Sequence, residues 1–401
     1  MKVLFVFGGI PLYVNALLNK LADKNVEIVA VVPSKSSRVL GEGVKVIENS
    51  KSSFKTIETF EKTSFLFKSY FPKLADILDE EKPDLLIAGW PYFIQFYWHF
   101  RLRKTISDNN IRFVMREIPF QVPPFGKIRS YFKENPMFNE NMKLLSKGIA
   151  FYIRQWVTMH IRKFCYSNAS GALAYSSVGN LIMPTYGIKD DLVFVTYNTN
   201  DTEALLREKE KLEKEPGILP ENNRRIIHVG RLVKWKRVDL LIDAFSIVLK
   251  SFPNAELVVV GDGPEENHLK QQAKAIGIEK SIMFTGGLHD AAKLGAYLLS
   301  SSVYVLAGMG GLSINDAMTF GLPIICSVGD GTEKDLVEDN RNGFYFIENN
   351  ASDLSEKLIL LLKEPETASI MGKESLKIIM EKINIETVTN NYISSFKHIL
   401  Q

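Results

Sequence analysis

The sequence predicts an α/β protein built from two Rossmann-like halves, on three observations. Short apolar runs alternate with segments of helical spacing, first over residues 2–198 and again over 225–347. Several of these runs end in glycine or a polar residue, as buried parallel strands do when they open into loops. A charged stretch with two prolines, REKEKLEKEPGILPENNRR (207–225), separates the two series. It reads as a solvated linker or surface helix. The length of 401 residues agrees, since one core usually stops growing near ~250–300 residues.

The first series opens with KVLFVF (2–7), a strand that runs into Gly8-Gly9. PLYVNALLNKLADK has helical spacing, and VEIVAVV (26–32) is the next strand. DLLIAGW (84–90), IRFVMREIPF (111–120), GALAYSS (171–177) and LVFVTYN (192–198) continue the strands. The second series runs through RIIHVGR (225–231), the amphipathic helix VDLLIDAFSIVLKSF (238–252) and AELVVVGDGP (255–264). The helix ENHLKQQAKAIG follows, then the strands SIMFTGG (281–287), VYVLAG (303–308), LPIICS (322–327) and GFYFI (343–347). The last forty residues read as helix and end in VTNNYISSFKHIL (388–400). The expected division is residues 1–203, residues 204–385, and a terminal helix 386–401 that packs back on the first half.

Hydrophobic residues make up 46% and charged residues 24%, an ordinary globular balance. The net charge of +3 is too small to argue for nucleic acid, and no nucleic-acid partner is expected. Cys165 and Cys326 lie far apart and form no metal-ligand pattern. They fit a reducing cytoplasm. No apolar stretch approaches the ~20 residues of a membrane-spanning helix, and the start MKVLFVFGG lacks a signal-peptide pattern. The expected location is the cytoplasm, at the inner face of the membrane if the aromatic-basic stretches described below bind lipid.

Residues that can carry chemistry cluster in the second series. Arg231 follows a strand end and Lys236 lies five residues on, so both can reach the crevice where open α/β sheets bind ligands, or they are solvated surface cations at a helix start. An Arg fork and a Lys point charge suit a diphosphate. GMGGLSINDAM (308–318) is a glycine-rich loop running into a helix that begins near Leu312, and can aim amides of Gly311, Leu312 and Ser313 at an anion. Gly8 and Gly9 at the first βα turn either allow a backbone to approach a ligand closely or simply make a tight turn.

VGRLVKWKRVDLLIDAF, VVVGDGP, FTGG, GLSINDAMTFGLPII and VEDNRNGFYF stand in order over roughly 225–350. Together they resemble the retaining glycosyltransferases of the GT-B fold, family four (glycosyl transferases group 1). The resemblance implies two Rossmann-like domains facing each other across a cleft. The first would bind the acceptor and the second a nucleotide-diphosphate sugar. It implies that Gly230, Arg231 and Lys236 hold the diphosphate, and that the 311–313 loop touches the distal phosphate and sugar. Asp316 falls on the family's second glutamate, a ligand of the ribose hydroxyls. The family's first glutamate corresponds to Gly308, a departure that leaves sugar recognition open. Glu333 and Asp335 are candidates to compensate, or surface charges. Retention needs no enzymic base, because the departing diphosphate can take the acceptor's proton. No metal or cofactor is expected beyond the donor substrate.

Glu117, at a strand end where the family often carries His, is a candidate to orient donor or acceptor. His228, inside a strand, reads as a satisfied core histidine. Residues 90–105 and 141–166 are basic and aromatic, and 119–132 is rich in proline and phenylalanine. These stretches suit a core, or a membrane interface with a glycan or lipid-linked acceptor. The expected activity is sugar transfer to such an acceptor in surface polysaccharide or glycoconjugate assembly. Two alternatives are a sugar-nucleotide-binding protein with weakened catalysis and a GT-B-fold nucleotide-sugar epimerase.

Overall fold

A computed structural model describes residues 1–35, 52–64, 68–139, 141–288, 290–329 and 331–401. The chain divides into two units, one of Met1–Met137, Leu145–Asn198 and Ile385–Gln401, the other of Phe138–Leu144 and Thr199–Asn384.

The first unit holds the strands β1 (Lys2–Val6), β2 (Glu27–Pro33), β3 (Lys55–Thr59), β6 (Leu85–Gly89), β7 (Arg112–Glu117), β8 (Gly171–Ala174) and β9 (Val193–Val195). They form one sheet in the order β3-β2-β1-β6-β7-β8-β9. Every pairing in it is parallel. A small antiparallel hairpin, β4 (Lys62–Ser64) with β5 (Lys68–Tyr70), stands apart. The apolar runs Val3–Val6 and Leu85–Ala88 are buried throughout, because helices cover both faces of the sheet.

The second unit repeats the plan. Its strands are β10 (Arg225–Val229), β11 (Glu256–Val260), β12 (Ile282–Gly286), β13 (Val303–Leu306), β14 (Ile324–Cys326) and β15 (Gly343–Tyr345). Their order is β12-β11-β10-β13-β14-β15, also all parallel. This is the doubly wound order, with the strand sequence reversing between β10 and β13. The helix Val238–Ser251 buries Val238, Leu241, Ile242, Phe245 and Val248, one stripe at helical spacing, against this sheet.

The two units depart from the expected division at 203/204, by one residue at 385/386, and in placing Phe138–Leu144 with the second unit. The break at 203/204 falls at 198/199, because Thr199 and Asn200 hydrogen-bond to Asn315 and Asp316 of the second unit. The charged stretch begins as the helix Thr202–Leu212, capped by Asp201 and anchored by buried Leu205. The last helix, Ile385–Leu400, belongs to the first unit, where it buries Ile385, Val388, Tyr392, Phe396 and Ile399. Phe396 meets Phe5 edge-on, and a Cβ on Gly171 would lie 2.5 Å from Ile399. Among the described residues, no helix is long and apolar enough to cross a membrane. Cys165 and Cys326 are buried and unbridged.

Since Phe396 is fully buried between Phe5 and Tyr392, Phe396→Ala should cost the protein about 3–5 kcal/mol. Urea denaturation measures this, and a loss below ~1 kcal/mol would show that the helix is not part of the core.

Candidate functional site

The site residues of the second unit lie where the strand order reverses, at the carboxyl ends of β10 and β13. Gly230 and Arg231 leave β10 here. The Gly230 amide donates to Val260 O (2.9 Å) and the Leu232 amide to Asp262 O (2.7 Å), which ties this loop to the turn after β11. Gly261 in that turn has φ 146°, and a Cβ on it would lie 1.8 Å from Gly230 O. Only glycine allows the two backbones to meet there.

A single 3₁₀ turn, Lys234–Lys236, then carries Lys236 under the loop that follows β13. Its Nζ donates to Met309 O (2.8 Å) and to Gly310 O. The Met309 amide donates in turn to Trp235 O (2.9 Å). A Cβ on Gly308 would stand 2.1 Å from Trp235 O and 2.7 Å from the Lys236 carbonyl carbon. The space beside Gly308 is therefore occupied by neighbouring backbone, and no side chain fits there unless residues 235–236 move. Glu333 and Asp335 are not surface charges: both are buried, and the Glu333 carboxylate accepts the Gly331 amide at 2.9 and 3.2 Å.

Gly311, Leu312 and Ser313 lead into the helix Ser313–Thr319. The Ser313 hydroxyl accepts a hydrogen bond from buried Tyr304 (2.7 Å). Asp316, in the first turn, is 8% exposed and accepts Asn200 Nδ2 at 2.6 Å. Burial pushes its pKa up to about 6, against the lowering effect of the Asn200 amide. Asn200 carried no signal in the sequence, since a polar residue before a helix is common.

His228 is only half satisfied. Its Nδ1 faces Val305 O at 3.0 Å and so carries the proton, while Nε2 has no hydrogen-bond partner among the described residues. Burial, with a contribution from the Lys236 charge, lowers its pKa to about 4, so the ring is neutral.

Gly8, Gly9 and Glu117 belong to the first unit. Gly8 and Gly9 are buried just past β1, with Gly9 at φ 151°. Glu117 ends β7, but its carboxylate is closed. It accepts Arg162 Nε (3.0 and 3.2 Å), Arg162 Nη2 (2.6 Å) and the Tyr166 hydroxyl (2.9 Å). These contacts hold Arg162 in place. The aromatic stretch 90–105 forms a 3₁₀ turn and two short helices, with Tyr92, Phe93 and Phe96 in the core.

Residues 209–377 match the family model described as glycosyl transferases group 1. An uncharacterized glycosyltransferase of Haemophilus influenzae is 35% identical over 187 residues, 44% of this chain and 51% of that protein. An alpha-monoglucosyldiacylglycerol synthase of Acholeplasma laidlawii is 30% identical over 37% of each chain. This chain thus spans about half the length of the first and about a third of the second. The crystal structure of Anabaena Alr3699/HepE in complex with UDP superposes with a TM-score of 0.69, over 99% of this chain and 100% of that one, at 17% identity. That likeness concerns the fold, two Rossmann-like halves.

An acid whose pKa is raised in the folded state stabilises the fold least when ionised. The penalty from Asp316 is absent below pH ~4, its unfolded pKa, and complete above about 6. Asp316→Asn should therefore raise stability at pH 8 by about 2–3 kcal/mol, a gain that fades as pH falls from 6 toward 4. Urea titrations at both pH values test this, and an equal effect at pH 4 and pH 8 would contradict it.

Proposed function

We propose that this chain, whose residues 209–377 belong to the glycosyl transferases group 1 family, moves a sugar from a nucleoside diphosphate sugar to an acceptor hydroxyl with retention of configuration. The observation that carries the reading is Lys236, an ammonium fixed on the Met309 and Gly310 carbonyls at the strand reversal, with Arg231 on the adjoining strand end. Two cations beside a glycine-rich loop suit a diphosphate, and Asp316 suits ribose hydroxyls once ionised.

In the transfer step the bond from the anomeric carbon to the diphosphate oxygen breaks, and a bond to the acceptor oxygen forms on the same face. The acceptor's proton goes to the departing phosphate oxygen. Arg231 and Lys236 then act by stabilising charge on the leaving group, which is the largest contribution a fixed cationic site can make. Glu117 keeps Arg162 oriented and acts as a positioning residue. Because the Anabaena protein was crystallised with UDP, uridine diphosphate sugars lead the donor panel. Arg231→Ala and Lys236→Ala should each lower release of nucleoside diphosphate in the presence of acceptor by ~10²–10³-fold. Donor binding without any turnover across donors and acceptors would instead favour a binding protein.

The acceptor reading extends to a membrane surface. Along the helix Ile149–Ser167, Ile149 (80% exposed), Ile153 (58%) and Trp156 (56%) recur on one side, with Val157 beside Trp156. A cavity of about 940 Å³ lies between them and the segment Gly126–Ser130, which carries Lys127 and Arg129. Exposed apolar side chains rimmed by cations suit an anionic bilayer, and support a lipid-linked or membrane-proximal glycan acceptor in glycolipid or glycoconjugate assembly. Flotation with anionic vesicles should recover the protein, and Ile153→Glu with Trp156→Glu should reduce recovery at least ~10-fold. Recovery independent of both lipid charge and these substitutions would remove the membrane from the proposal.

A further inference from the structure

A second cavity, of about 450 Å³, opens in the first unit beyond the carboxyl ends of β6, β7 and β8. Its size falls within the range of small-molecule sites. Four cations line it, Lys68, Arg116, Arg154 and Arg162, against one acid, Glu117. The Glu117 carboxylate is consumed by the fork of Arg162, and that pair is capped by Trp90, whose ring lies 4.5 Å from the Arg162 guanidinium.

Arg116 has a different environment. It is 9% exposed, and among the described residues no carboxylate forms an ion pair with it. Its Nε donates to the Tyr392 hydroxyl (2.9 Å), and its Cζ lies 4.4 Å from the Tyr175 ring centroid and 5.3 Å from that of Phe7. Burial holds the Tyr175 pKa well above its ordinary value, and that of Tyr13 above it, so these hydroxyls are neutral and cannot cancel the charge. A guanidinium taken out of water without a counter-charge is costly, and the aromatic faces recover only part of the cost. A bound anion recovers the rest.

We propose that this cavity binds a phosphate group of the acceptor, received by Arg116 at its floor and by Arg154 at its mouth. The helix Ile149–Ser167 that brings Arg154 also carries the exposed apolar side chains, so a soluble phosphate ester and a phosphate at a lipid surface both reach this chemistry. The inference rests on the sugar-transfer reading only in calling the ligand an acceptor; the anion site itself can be tested without any donor.

The 401-residue chain is titrated with inorganic phosphate, glycerol phosphate and glycerol, following the tryptophan fluorescence with Trp90→Phe as the assignment control. The expected result is saturable quenching by both phosphates, none by glycerol, and loss of the signal in Trp90→Phe. Arg116→Gln should weaken binding about 10-fold or more, and Arg154→Glu at least as much. Arg154 is exposed, so the second variant keeps the test valid if the first does not fold. Saturable binding of glycerol phosphate assigns a soluble ester. Arg154-dependent quenching only by vesicles of a phosphate-headgroup lipid assigns a lipid phosphate. Absence of saturable binding in both arms, or affinity unchanged in Arg154→Glu, overturns the proposal. If phosphate binds here and no donor is ever turned over, the transferase reading falls and the anion site stands.

Discussion

The contact of Gly308 with the backbone of residues 235–236 is the constraint on which the rest of the second unit's site depends. It brings the loop after β13 down onto the 3₁₀ turn after β10, so that the Met309 amide and the Lys236 ammonium each reach across to the other segment. The switch point supplies the location, since parallel strands deliver their loops to one edge. The glycine supplies the distance. A side chain at 308 would separate the two loops and move the cation away from the glycine-rich loop. The glycine at 308 and the placed lysine are thus one structural fact.

The two units handle charge in different ways. In the second, Asp316 is buried and accepts from a neutral amide, and Lys236 donates to carbonyl oxygens. In the first, Glu117 and Arg162 neutralise one another, while Arg116 next to them sits among rings and hydroxyls. Groups held by dipoles keep most of their charge available to a ligand. A matched pair spends that charge on rigidity.

Much of the fold was legible because doubly wound sheets write themselves as apolar runs. KVLFVF, DLLIAGW and AELVVVGDGP became β1, β6 and β11 with small shifts at their ends. The edge strand β3 left no such trace: KTIET is polar and mostly part-exposed, as an edge allows. At the site, the loop and the two cations could be read from spacing and resemblance. The partners that determine what those residues can do could not. Asn200 lies 116 positions from Asp316, and Arg162 lies 45 from Glu117, so neither contact has a local signature. The closure of Glu117 and the tightness around Gly308 are properties of packing between segments.

The placement of the helix Ile385–Leu400 bears on the order in which the chain acquires structure. It completes the core around Phe5 and Gly171, yet it is synthesised after residues 199–384. Residues 199–384 are synthesised before it and contain nearly all of their own unit. During vectorial synthesis the C-proximal half can therefore close its core first, while the N-proximal half waits with an apolar face uncovered.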